Sequence, residues 1–154
     1  MTIQDILPVT GIKVIAAASS KKRLFHDLGD MAETCFGLDQ SLVVDALLER
    51  ENLGPTGVGH GVALPHARLT GLTKVCGLFI RIKKPIDFDS VDRQPVDLAF
   101  ALFAPEKAGV EHLKALALIS RTLRDNGVCM KLRANEDPST IYTILTETMT
   151  AQAA

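Results

Sequence analysis

Apolar positions along the chain follow two rhythms. Leu24, Phe25, Leu28, Met31, Ala32, Cys35 and Phe36 recur at three- and four-residue spacing, the period of a helix with one buried face. Ser19 or Ser20 can cap that helix over Lys21–Phe36, and Gly37 supplies a stop. A second helix is predicted over Gln40–Leu53, capped by Asp39 and ended by Gly54, with the stripe Leu42, Val43, Ala46, Leu47 and then Arg50. A third covers about Gly109–Asp125, with Gly127 beyond its end. Asp137–Pro138 opens a last helix to about Met149. The second rhythm is continuous. Val75–Ile82 and Val96–Ala104 are apolar on both faces, as buried strands are. Ile12–Ala16 is a short apolar run that reads as a first strand, and Gly61–Pro65 reads as extended. Lys83-Lys84-Pro85 and Ala104-Pro105 break the long runs. Helices alternate with buried strands, which predicts an α/β fold: a mixed β-sheet flanked by helices on both faces. Strand order is not contained in this pattern. One domain spans residues 1–154, with a core over about residues 5–149.

Composition narrows the function classes. The 154 residues are 47% hydrophobic and 23% charged, as globular chains are. The 17 basic and 18 acidic residues leave a net charge of -1, so no basic field exists to hold a nucleic acid. The basic start of the first helix, Lys21-Lys22-Arg23, opposes the helix dipole and reads as a solvated or partner-facing patch. Cys35, Cys76 and Cys129 are far apart and form no CxxC pair, which fits reduced thiols in a cytoplasmic protein. The longest unbroken apolar run, Leu98–Ala104, is far short of the ~18 residues a membrane helix needs. Met1–Pro8 lacks the pattern of a signal peptide.

The unusual segment runs from Arg50 to His66. Four of the eight residues from Gly54 to Gly61 are glycine, which lets backbone N–H groups approach a ligand. The segment is neither a P-loop, since His60 follows Gly59, nor a dinucleotide fingerprint, which runs from strand to helix. A flexible connector is the plainer alternative. His66 closes the extended run after Pro65. A neutral imidazole there can attack a phosphoryl group and carry it as a phosphoramidate; a surface turn histidine fits as well. Arg50 follows Ala46 by four residues and Val43 by seven, so it continues the apolar stripe inward. An inward arginine calls for an anion such as phosphate, or caps the helix C-terminus while its stem covers apolar surface. His112 shares a stripe with Leu116, Ile119 and Leu123 in the first turn of the third helix. There it can stay neutral and donate to phosphate, or be a satisfied core histidine. His26 lies off its stripe and reads as a surface residue. His60, His66 and His112 leave open a three-histidine metal site, though without HExxH spacing.

Gly57-Val-Gly-His-Gly-Val-Ala-Leu-Pro-His66, preceded by Arg50-Glu51-Asn52-Leu53-Gly54, resembles the type-2 IIA domains of the bacterial phosphoenolpyruvate-dependent phosphotransferase system. Pro85-Ile86-Asp87-Phe88, Pro95-Val96-Asp97-Leu98 and Glu111-His112-Leu113 also look like family segments, so the resemblance covers nearly the whole chain. It implies that His66 accepts a phosphoryl group at Nε2 with Nδ1 held by a hydrogen bond. Arg50 and His112 become its supporting residues, and Thr56, Gly57, Gly59, His60 and Gly61 a phosphate-binding loop. No metal or cofactor is implied beyond the covalent phosphoryl group. Pro55, His60 and Ala67 depart from the usual serine, asparagine and glycine.

The solitary domain and the Arg-Glu-Asn-Leu-Gly start look most like the nitrogen-regulatory branch of the family. That branch implies a cytoplasmic protein phosphorylated by an HPr-type phosphocarrier, itself fed by enzyme I from phosphoenolpyruvate. Its phosphorylation state would control binding to targets such as potassium-transport proteins or sensor kinases. The alternative is a sugar-specific IIA component, of fructose or mannitol type, that passes phosphate to a IIB domain. A metal-dependent hydrolase and a scaffold without phosphorylation are the other classes.

Overall fold

The computed structural model describes the backbone of residues 1–153 and the side chains of residues 1–147. Its central strand is β6 (Val96–Pro105). β5 (Cys76–Ile86) runs antiparallel along one side of it, and β1 (Ile12–Ile15) lies parallel beyond β5. Along the other side of β6, β3 (Val62–Ala63) and β4 (His66–Leu69) follow one another, both parallel to it. β2 (Gly57–Gly59) closes that edge, antiparallel to β3, giving the order β1-β5-β6-β3-β2.

Alternation along β6 builds two cores. Leu98, Phe100, Leu102 and Ala104 pack with one, while Ala99, Ala101 and Phe103 pack with the other. The first core is closed by α1 (Ile3–Ile6), α4 (Val110–Arg124), α5 (Asn126–Arg133) and α6 (Pro138–Ala153). The second is closed by α2 (Lys21–Phe36) and α3 (Gln40–Leu53). Both faces of the mixed sheet are therefore covered by helices, as the alternating pattern predicts.

The long helices carry the expected caps. Ser20 accepts from the Arg23 amide at 3.1 Å, Asp39 accepts from Ser41 at 3.0 Å, and Gly37 ends α2 at φ 70°. Leu42 is a correction. It is 58% exposed, and the buried positions of α3 are Val43, Val44 and Leu47. Lys83-Lys84-Pro85 does not end β5. Pairing with β6 shifts between Arg81 and Ile86, and Ile82 is the last residue paired with β1, so the missing Pro85 N–H costs no ladder bond. Two helices escape the pattern. α1 is a single turn, although Ile3 is fully buried. α5 begins directly after α4 because Asp125 ends one helix and caps the next, accepting from Gly127 at 2.9 Å and Val128 at 3.2 Å. Gly127 thus lies inside α5 rather than in a loop. His66 opens β4 rather than closing the run before it.

Candidate functional site

Ala67 and Leu69 of β4 are buried in the core beneath α2 and α3. Strand alternation then turns His66 toward the opposite layer, where α4 lies. His112, in the first turn of α4, is 5% exposed, and its ring stands edge-on to that of His66 with centroids 5.6 Å apart. Arg50 comes from the other layer, off the last turn of α3. The site therefore sits where β4 brings helices of both layers together. Arg50, Leu53, His66, Arg68, His112 and Leu113 are among the residues lining its cleft of about 530 Å³.

Both nitrogens of His66 are engaged. Nδ1 lies 2.8 Å from the Leu64 carbonyl, which can only accept, so Nδ1 carries the proton. Nε2 is left with its lone pair and accepts from Arg50 Nε at 3.2 Å. A second nitrogen of Arg50 donates to the Gly54 carbonyl at 2.9 Å, so the guanidinium is held at two points. Burial lowers the pKa of His66, and the Arg50 charge adds to this against the opposing Leu64 bond and Glu51 carboxylate. Burial, helped by His66 and Arg68, brings His112 down to about 4. Both imidazoles are neutral at neutral pH. His112 Nε2 is buried and has no hydrogen-bond partner among the described residues, so as an N–H it can donate to an incoming oxygen.

The glycine-rich segment is built as a β-hairpin. Gly57 and Gly59 lie in β2, Val62–Ala63 form β3, and His60 and Gly61 make the turn between them at φ 56° and 80°. The Thr56 amide donates to Glu51 and the His60 amide to Asp92 at 2.8 Å, so neither is available to an anion. A Cβ on Gly57 would overlap the Ser90 hydroxyl, and one on Gly61 would meet Arg133 and Asp97. These two glycines serve close packing and a left-handed turn. His60 is exposed and lines a separate cleft with Arg124 and Arg133, so it supplies no third imidazole beside His66 and His112. No three His, Cys, Asp or Glu side chains among the described residues are grouped to hold a metal ion. His26 is half-buried, its Nδ1 2.9 Å from Gln40, and not a free surface residue.

Glu51 is the residue the sequence reading passed over. Its carboxylate accepts from the Thr56 amide at 3.1 and 3.2 Å, the Thr56 hydroxyl at 2.6 Å and Lys21 Nζ at 2.9 Å. A carboxylate in the last turn of a helix faces the negative end of the dipole, and that mismatch was its signal. Lys21, expected in a solvated or partner-facing patch, is bonded to Glu51 and lies 3.2 Å from Asp89.

No helix among the described residues is long and apolar enough to cross a membrane. The sequence matches the family described as "Phosphoenolpyruvate-dependent sugar phosphotransferase system, EIIA 2" over residues 5–148. A protein named "Nitrogen regulatory protein" from Bradyrhizobium diazoefficiens is 48% identical over 145 residues, covering 94% of this chain and 95% of that protein. The crystal structure of nitrogen regulatory protein IIA-Ntr from Neisseria meningitidis superposes with a TM-score of 0.87 at 38% identity, over 94% of this chain and 99% of that one. The mannitol IIA structure from Escherichia coli shares the fold, with a TM-score of 0.75 at 20% identity over 90% of this chain and 97% of the other. With its fold, length and sequence all accounted for in this way, the chain belongs to the EIIA type-2 family of the phosphotransferase system.

Proposed function

We propose that this chain is a regulatory phosphotransferase component of the nitrogen-regulatory kind, in which Nε2 of His66 accepts a phosphoryl group from an HPr-type phosphocarrier charged by enzyme I from phosphoenolpyruvate. The observation that carries this reading is the division of labour on one ring: Leu64 holds the Nδ1 proton and leaves the Nε2 lone pair to Arg50, in a cleft that both residues line. Nε2 attacks phosphorus in line as the donor's P–N bond breaks, and the departing donor nitrogen takes that electron pair. Arg50 exchanges its bond to Nε2 for one to a phosphoryl oxygen, and His112 Nε2 offers a second contact. The product ring carries phosphorus on Nε2 and hydrogen on Nδ1, and the Leu64 carbonyl stabilises the resulting positive charge. The step uses no metal or nucleotide.

Leu53 and Leu113 flank the cleft at 82% and 66% exposure, an apolar rim suited to the donor protein. About two negative charges on His66 would change that rim, and we read this as the control over partner binding in the cytoplasm. Potassium-transport proteins and sensor kinases are the target classes to try first.

The test mixes phosphoenolpyruvate, enzyme I and the HPr-type carrier with wild type and His66→Ala, followed by intact mass and phosphorus NMR. An acid-labile phosphoryl group on the wild type alone supports the reading. An unlabelled wild type beside an active carrier refutes it. Onward transfer to a IIB domain would mark a sugar-specific component instead.

A further inference from the structure

Glu51 stands next to Arg50 in sequence yet makes no bond to it. Its side chain is 6% exposed, and both oxygens are already used by Thr56 and Lys21. Burying a carboxylate is costly, and the C-terminal turn of a helix raises that cost. Stability alone would put an apolar or basic residue here. What the arrangement achieves is local. Thr56 is gripped through amide and hydroxyl together, which fixes the turn that runs from the end of α3 into β2. Gly54 lies in that turn, and its carbonyl is the second anchor of the Arg50 guanidinium.

We propose that Glu51 is a positioning residue for phosphoryl transfer: by clamping Thr56 it sets the Gly54 carbonyl, and that carbonyl aims Arg50 at Nε2 of His66. The proposal rests on the reading of His66 as acceptor. When Arg50 leaves Nε2 for a phosphoryl oxygen, the Gly54 bond is the pivot that keeps the guanidinium in the cleft. Lys21 neutralises Glu51 and occupies the oxygen that would otherwise compete for Arg50. It also joins the clamp to Asp89, and its Nζ lies 4.9 Å from the Phe88 ring centroid, so the turn is tied to the segment after β5.

The experiment measures single-turnover labelling from the phosphorylated HPr-type carrier for Glu51→Ala, Glu51→Gln and Thr56→Val, each with Arg50 intact and in an Arg50→Ala background. Misplacing a catalytic group by about 1 Å can cost on the order of 100-fold. Glu51→Ala is expected to slow labelling about 10-fold or more. Glu51→Gln, which keeps an acceptor for the Thr56 hydroxyl, should recover part of the loss. In the Arg50→Ala background none of the three should cost a further factor beyond about twofold, because the group they position is gone. Circular dichroism checks folding, and Thr56→Val carries the test if Glu51→Ala does not fold. A loss under twofold for Glu51→Ala or Thr56→Val, or a loss that multiplies with Arg50→Ala, overturns the proposal. His66→Ala run in parallel tests the acceptor separately: if it still labels, the reading beneath the proposal fails.

Discussion

His66 and His112 face one another edge to face, 71° between ring planes, and neither is free to take up a proton at neutral pH. The native state therefore binds fewer protons than the unfolded chain once the pH drops below about 6.5. Stability is full above that value and declines as pH falls toward about 4, the folded value for His112. Its share is on the order of 3 kcal/mol. His112→Gln removes this titration, so urea unfolding at pH 7 and pH 4.5 should show a smaller decline for the variant than for wild type. Equal declines would contradict the assigned shift.

Arg50 acts through two directions at once, toward His66 Nε2 and toward the Gly54 carbonyl. A lysine ammonium lacks the planar fork that reaches both. Arg50→Lys is expected to label measurably faster than Arg50→Ala but well below wild type, with the alanine variant down roughly 100-fold. Stopped-flow quench against the phosphorylated carrier gives the three rates. A lysine variant indistinguishable from wild type would show that charge alone suffices.

Ser90 is buried, and its hydroxyl has no hydrogen-bond partner among the described residues. Removing an unsatisfied polar group is neutral or stabilising, so Ser90→Ala should unfold at the same or a higher denaturant concentration. Gly57→Ala should cost roughly 1–3 kcal/mol by forcing a methyl against that hydroxyl. Combined with Ser90→Ala, much of that loss should return. Additive effects in denaturant melts would rule out the contact as the reason for glycine.

His60 holds its hairpin through the backbone, donating to Asp92 and accepting from Arg133 at 2.8 Å. It lines another cleft than that of His66. His60→Asn, which tolerates a positive φ, should label within about twofold of wild type. A tenfold loss would return the hairpin to the phosphate-binding role.

The sequence pattern was readable wherever an element is long. α2 and α3 follow from their stripes and caps, α4 from its stripe, and β5 and β6 from runs too apolar for solvent. The inward placement of Arg50 was legible because it extends the Val43 and Leu47 face by one turn. α1, β2 and β4 were not, since each is four residues or fewer and owes its existence to partners elsewhere, whereas β3 falls within the Gly61–Pro65 run read as extended. The packing role of Gly57 and Gly61 was hidden for a related reason: the groups they accommodate, Ser90 and Arg133, are distant in sequence. Glu51 was hidden in the same way, its cation Lys21 lying 30 residues earlier.

The hydrogen bond from His66 Nδ1 to the main chain at Leu64 has a temporal consequence. In the proposed reaction it keeps a proton on the ring after phosphorus has arrived, and a protonated imidazole is the better leaving group. The mark is thereby made easy to erase. A protein built this way reports the present charge of its donor rather than storing its history. Because the acceptor is a backbone carbonyl, no side-chain replacement at position 64 removes it directly.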